Sequence, residues 1–219
     1  MRTLHAPAAF ALVAFAACLS SSVAETPPSA HDGLSVEIVD PASDARAADI
    51  QRSGILASNY LGQKLVAEVA AALKTGTPED GVSIMHLQHL SADGQAVPGL
   101  PRIKAFKLTS LRLINVANSP DFAEQQVLED VEHTIRSGSK PTEVLVQHIV
   151  LPDGTEEWRA YRPLAVLPTC VTCHGAAAEK SPRLRSLLVQ HAPATPATEF
   201  RLGEWRGLLR VTIEPAPKV

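Results

Sequence analysis

Cysteine is scarce in this chain, with three in 219 residues, at Cys18, Cys170 and Cys173. That count excludes a framework of several disulfides, and a structural zinc site lacks the second pair of Cys or His ligands it needs. Aromatic residues make up 4% of the sequence, which leaves little for stacking on nucleobases or sugars. The formal net charge is -3, with acids and bases interspersed, so there is no basic face for nucleic acid or anionic lipid. The apolar run from Ala8 to Leu19 falls short of the ~20 residues that span a bilayer. Methionine is nearly absent too, since Met85 is the only one apart from the initiator.

What is present at the N terminus reads as an export signal. Arg2 supplies positive charge, Ala8 to Leu19 the apolar segment, and Ser22-Val23-Ala24 the small residues of a cleavage point. Cleavage after Ala24 makes Glu25 the first mature residue. A competing reading takes Phe15-Ala16-Ala17-Cys18 as a lipobox, with Cys18 lipidated and the protein tethered to a membrane face. Either way Cys18 is consumed in targeting, and the folded protein keeps Cys170 and Cys173. The expected location is the periplasm, as an exported protein or as a lipoprotein anchored at a membrane face.

Those two cysteines belong to Cys170-Val171-Thr172-Cys173-His174. Two thiols at this spacing with a histidine immediately after can attach a porphyrin through two thioethers while His174 binds its iron. In an oxidising compartment neighbouring thiols are oxidised unless something consumes them, and covalent haem attachment does so. A redox-active CxxC belongs near a βαβ pattern, which is not found here. The expected cofactor is one haem c, covalent through Cys170 and Cys173.

Pattern along the chain suggests the scaffold. Residues 25 to 42 are rich in Pro, Ser, Ala and Asp without periodicity and read as a flexible linker. From Ser43 to Thr75 the period is helical, with Leu61, Leu65, Val69 and Leu73 on the face expected to meet the core and Gly54 a point where the helix can divide. Thr77-Pro78-Glu79-Asp80 starts a further helix reaching about Leu90. Ile103 to Ile114 reads as a strand. Ser119-Pro120-Asp121 opens a helix to Ser137, with Phe122, Val127, Val131 and Ile135 its buried positions. Residues 143 to 151 and 155 to 167 form a hairpin about Pro152-Asp153-Gly154. The haem motif follows in a loop after Pro168, then a helix from Pro182 to His191 and a last strand from Trp205 to Ile213. The expected domains are therefore a signal at 1–24, a linker at 25–42, one α+β domain at 43–214 and a tail at 215–219.

The second axial position offers few choices. Met85 and His89 are four apart and share a helix face, with His86 beside them. On residue type alone a lone helical methionine is a core filler, and His86 and His89 are surface residues.

Tyr161-Arg162-Pro163-Leu164 ahead of Cys170 to Gly175, then Ala197 to Arg201 and Gly203-Glu204-Trp205-Arg206-Gly207, resemble the Tll0287-like haem domain family. So does the upstream block Thr109 to Leu113 with Asn115, Asn118, Pro120, Asp121 and Glu124. The similarity runs from about Leu61 to Val211. It implies a PAS-like α+β fold, an antiparallel sheet covered by N-terminal helices and holding one c-type haem. In that family a cysteine on the helix after the first long helix can serve as the distal ligand, and the corresponding position holds Met85. The resemblance thus makes Met85 the expected distal ligand, with His89 and His86 as alternatives. Two family arginines are replaced by Leu108 and Ile114, which leaves Arg112, Arg162 and Arg206 as candidates for the haem propionates.

The expected function is an exported single-haem, cytochrome-like protein in electron transfer or redox response, working with a redox partner protein. A haem-based sensor of redox state, NO or CO that signals through a partner is the alternative, and a haem enzyme such as a peroxidase stands third. No nucleic acid partner is expected, membrane contact is expected only through a lipidated Cys18, and a homodimer is compatible with the sequence.

Overall fold

The computed structural model describes residues 33–84, 99–100, 102–191 and 198–217. Its first long element is α1, Ala45–Thr75, opened by the Asp44 carboxylate, which accepts the Ala47 N–H at 2.8 Å. That bond satisfies one of the amides a helix start leaves free. α1 is unbroken at Gly54, contrary to the expectation of a division. A Cβ on Gly54 would lie 2.4 Å from that of Ala160, so glycine here lets the helix lie close on the sheet. After Gly76, the Asp80 carboxylate takes both the amide and the hydroxyl of Thr77 at 2.9 and 2.8 Å, starting α2, Pro78–Ile84.

α3, Phe122–Arg136, begins with a capping box: Asp121 accepts from the Glu124 amide at 2.7 Å, and Glu124 from the Asp121 amide at 2.9 Å. Val127 and Val131 are buried as expected, Phe122 is exposed, and Leu128 takes a buried place instead.

Five strands, β1 (Ser35–Val39), β2 (Ile103–Thr109), β3 (Leu145–Val150), β4 (Glu156–Ala165) and β5 (Trp205–Ile213), form one antiparallel sheet in the order β1-β3-β4-β5-β2. The hairpin and the last strand lie where the sequence placed them. The stretch expected as a flexible linker contributes β1, whose partner β3 lies more than a hundred residues away; only that tertiary pairing makes it a strand. β2 stops at Thr109, short of the expected Ile114, because Ser110 turns off the sheet with its hydroxyl donating to the Arg206 carbonyl at 2.7 Å.

Alternation along the strands sends side chains to two faces. α1 packs on Val146, Ala160, Leu209, Val211 and Ile213. α3 packs on Tyr161 and Leu208, which adjoin Ala160 and Leu209 in the chain and point to the other face. The fold is α+β as expected, with helices on both faces of the antiparallel sheet. Of the expected core stripe of α1, Leu61 is buried, while Leu65, Val69 and Leu73 are only half-buried.

The motif expected in a loop is instead a short helix, α4, Pro168–His174, with Pro168 in its first turn, where a missing N–H costs nothing. α5, Pro182–His191, follows as expected.

Candidate functional site

Beyond Leu61, Leu65, Val66, Val69, Ala70 and Leu73 of α1 border a cavity of 740 Å³. Gly81 of α2, the end of β2, Pro163 to Ala165 of β4 and Gly207-Leu208 of β5 complete most of its lining. Its volume lies within the ~300–1,000 Å³ of cofactor-sized sites. Cys170, Cys173 and His174 all border it.

α4 sets those three residues by helical spacing, Cys170 and Cys173 lying three apart on one side. Both are free thiols, Cys170 half-buried and Cys173 buried. Burial pushes the Cys173 thiol up, and the nearby Lys180 ammonium offsets part of that. Lys180 is itself buried, and its Nζ donates to the carbonyls of Gly175 and Ala176 just past the helix end. A cation there suits the negative end of the helix dipole and holds the chain after His174. His174 is buried at 8% exposure; its carbonyl accepts the Phe200 amide at 2.9 Å, and the Phe200 ring meets its imidazole edge-on with centroids 6.2 Å apart.

The three arginines expected at the site separate in the structure. Arg206 donates through Nε to His174 Nδ1 at 3.3 Å, and through Nη1 to Ser110 Oγ and the Arg112 carbonyl at 2.7 and 2.8 Å. Arg112 donates to the Thr198 carbonyl. Both guanidinium groups stack on Phe200, at 4.2 Å for Arg112 and 5.4 Å for Arg206. Neither has a carboxylate partner among the described residues. Burial, and then the like charge of Arg112, push Arg206 down to about 10, so it still carries its proton at neutral pH. Arg162 also borders the cavity but is engaged by Asn59 at 2.5 Å and by Glu143 at 3.1 Å.

Met85, His86 and His89 lie outside the described residues, as does Cys18. Sequence reasoning did not foresee Lys180, Phe200 as a stacking plate, or the cavity wall of α1. The half-apolar stripe of α1 was visible, but it read as core. Among the described residues no group of three or more His, Cys, Asp or Glu is arranged to hold a metal ion, and no helix is long and apolar enough to cross a membrane.

Residues 84–214 match the family model described as "Tll0287-like: Tll0287", more than half of the chain. The chain belongs to the Tll0287-like family. The Tll0287-like segment starts later than the expected Leu61, leaving α1 outside it while including Cys170 to His174, Arg112 and Arg206. One solved structure, "Crystal structure of the cyanobacterial heme-protein Tll0287", is similar at 22% identity and a TM-score of 0.39. The match covers 52% of this chain and 63% of that one, less than two thirds of its length. No curated protein matches the chain.

Proposed function

We propose that this protein holds one haem c, with Cys170 and Cys173 as its thioether anchors and His174 as an iron ligand, and serves as an exported electron carrier. The observation that carries this reading is that the two free thiols and His174 border one apolar cavity of 740 Å³. When bound, the haem supplies a one-electron Fe(III)/Fe(II) couple. The apolar face of α1 excludes water from the macrocycle, α4 presents the thiols and the imidazole together, and Lys180 keeps the end of α4 in place. Arg206, a half-buried cation that borders the cavity without a carboxylate partner among the described residues, and the half-buried Arg112 beside it on Phe200 would receive the propionates in charge-assisted bonds. Arg162, already paired with Glu143, is the weaker candidate. Membership of a family whose namesake is described as a heme-protein supports the assignment.

For the distal position we favour Met85, then His89 and His86. α2 borders the cavity at Gly81, and Met85 follows that helix directly. A PAS-like sensor of redox state, NO or CO is the second reading. Its favouring observation is that Ser181 at the start of α5 donates to Glu79 of α2, so a shift of the distal helix would reach the segment after the motif. No catalytic residue is assigned.

The test is expression alongside haem-maturation machinery, with haem staining of a denaturing gel and ferric, ferrous and CO-difference spectra. Wild type should stain, and Cys170→Ala with Cys173→Ala should not; staining of that double variant rejects the attachment. Met85→Ala should change both spectra if methionine is the ligand. Inert six-coordinate iron favours the carrier, whereas rapid CO binding favours the sensor.

A further inference from the structure

Among the described residues only Glu199 combines a side chain with a left-handed backbone, at φ +66°. That conformation is unfavourable for a residue with a Cβ and persists where its surroundings fix it. Here the surroundings are the end of the haem motif. The turn at Glu199 brings two successive amides to one side, where they donate to successive carbonyls at the end of α4, Glu199 to Gly175 at 3.1 Å and Phe200 to His174 at 2.9 Å. The Glu199 carboxylate accepts the Ala177 amide at 2.6 Å. We propose that Glu199 is a positioning residue that, through these bonds and Phe200, locks His174 on the iron, so that ligand exchange occurs only on the opposite side of the haem. This rests on the haem reading above.

A thioether at Cys173 would hold the chain near the porphyrin edge but leave His174 and the residues after it free to turn. The bonds from Glu199 and Phe200 remove that freedom. The Phe200 amide fixes the His174 main chain, and the Phe200 ring, edge-on to the imidazole with centroids 6.2 Å apart, limits rotation of the side chain. Gly175 passes close to α4, where a Cβ would be 2.7 Å from the Val171 carbonyl oxygen, so the chain has no slack there. Lys180 donates to the Gly175 and Ala176 carbonyls while Glu199 takes the Ala177 amide, so this turn is held at its carbonyls and at its amide. Thr198, just before Glu199, is tied in turn by Arg112, which donates to its carbonyl. None of these hydrogen bonds uses an imidazole nitrogen, so iron binding leaves them intact.

Nitric oxide is the probe, because on ferrous haem it weakens the iron bond opposite it and a loosely held histidine is lost. Electron paramagnetic resonance of NO-treated ferrous holoprotein reads the outcome, since a retained His174 nitrogen splits the signal and its loss gives a five-coordinate spectrum. Wild type should stay six-coordinate. Glu199→Val, with a β-branched side chain at positive φ and no acceptor, should become five-coordinate, whereas Glu199→Gln, which keeps an acceptor oxygen, should resemble wild type. A five-coordinate wild type overturns the proposal, as does a Glu199→Val protein that keeps His174 on the iron. So does loss of histidine from Glu199→Gln as complete as from Glu199→Val, because the bond to Ala177 would then hold nothing. Should Glu199→Val fail to accumulate, Glu199→Ala decides, a six-coordinate spectrum counting against the proposal. If the distal ligand keeps NO out of wild type, the same comparison in a Met85→Ala, His86→Ala, His89→Ala background decides. A wild type that does not stain for haem rejects the haem reading itself, whereas a stained protein that loses His174 to NO rejects only the role given to Glu199.

Discussion

Glu124 offers the sharpest test of how the sheet is held on the side opposite α1. Its carboxylate is fully buried on α3, where Lys107 of β2 meets Oε2 at 2.8 Å and Arg210 of β5 lies 3.3 Å from Oε1. It also closes the capping box of α3 on the Asp121 amide. Glu124→Gln keeps the shape and removes the charge, leaving two cations against a neutral amide. Losing one partner of a buried pair costs ~3–5 kcal/mol. The side chains of Lys107 and Arg210 keep 23% and 13% exposure and can recover some hydration, so the low end applies. With a urea m-value of ~2 kcal/mol/M, a loss of ~3 kcal/mol lowers the midpoint by ~1.5 M. Equilibrium urea unfolding followed by circular dichroism reads this directly, and adding Lys107→Met to Glu124→Gln should recover part of it. A midpoint within ~0.3 M of wild type, or no recovery in the double variant, would refute the claim that this charge fastens α3 to the sheet.

Other outcomes follow from single contacts. Gly54→Ala should lower the melting temperature, because overpacking of ~1–3 kcal/mol against Ala160 outweighs the ~1 kcal/mol gain in helix propensity; an unchanged value would show that α1 can lift off β4 freely. Tyr161→Phe removes the hydroxyl that donates to Gln147 Oε1 at 2.7 Å in the core, and should cost ~1–3 kcal/mol in denaturant unfolding. Burial pushes the carboxyls of Asp121 and Glu157 up, but the Glu124 amide and Arg159 for the first, and Arg159 with Arg210 for the second, outweigh it and leave both below their ordinary values. Stability from these groups is therefore present above about pH 4.5 and lost as pH falls through the lower folded values; the urea midpoint should drop below about pH 4, and less steeply in Asp121→Asn. His174→Ala should leave the haem staining intact while changing the ferric and ferrous spectra, which separates attachment from ligation.

Local signals alone determined much of this protein. The capping box at Asp121 and Glu124, the turn at Asp153-Gly154 and the spacing of Cys170, Cys173 and His174 each operate within a few residues, so they are legible without a partner. The cofactor expectation came from that same short range. What the tertiary structure decided involves partners far apart in the chain. β1 became a strand only through β3, and Gly54 proved a point of close contact only because Ala160 lies beneath it. The stripe on α1 had one period throughout, yet Leu61 meets the sheet directly while Leu65, Val69 and Leu73 face a cavity that separates them from the ends of β2, β4 and β5. Arg206 was already a candidate by resemblance, as a propionate contact. That it faces His174 across 32 residues, backed by Phe200 and tied by Ser110, depends on how β5 crosses the end of β2, and periodicity within a segment carries no information about such crossings.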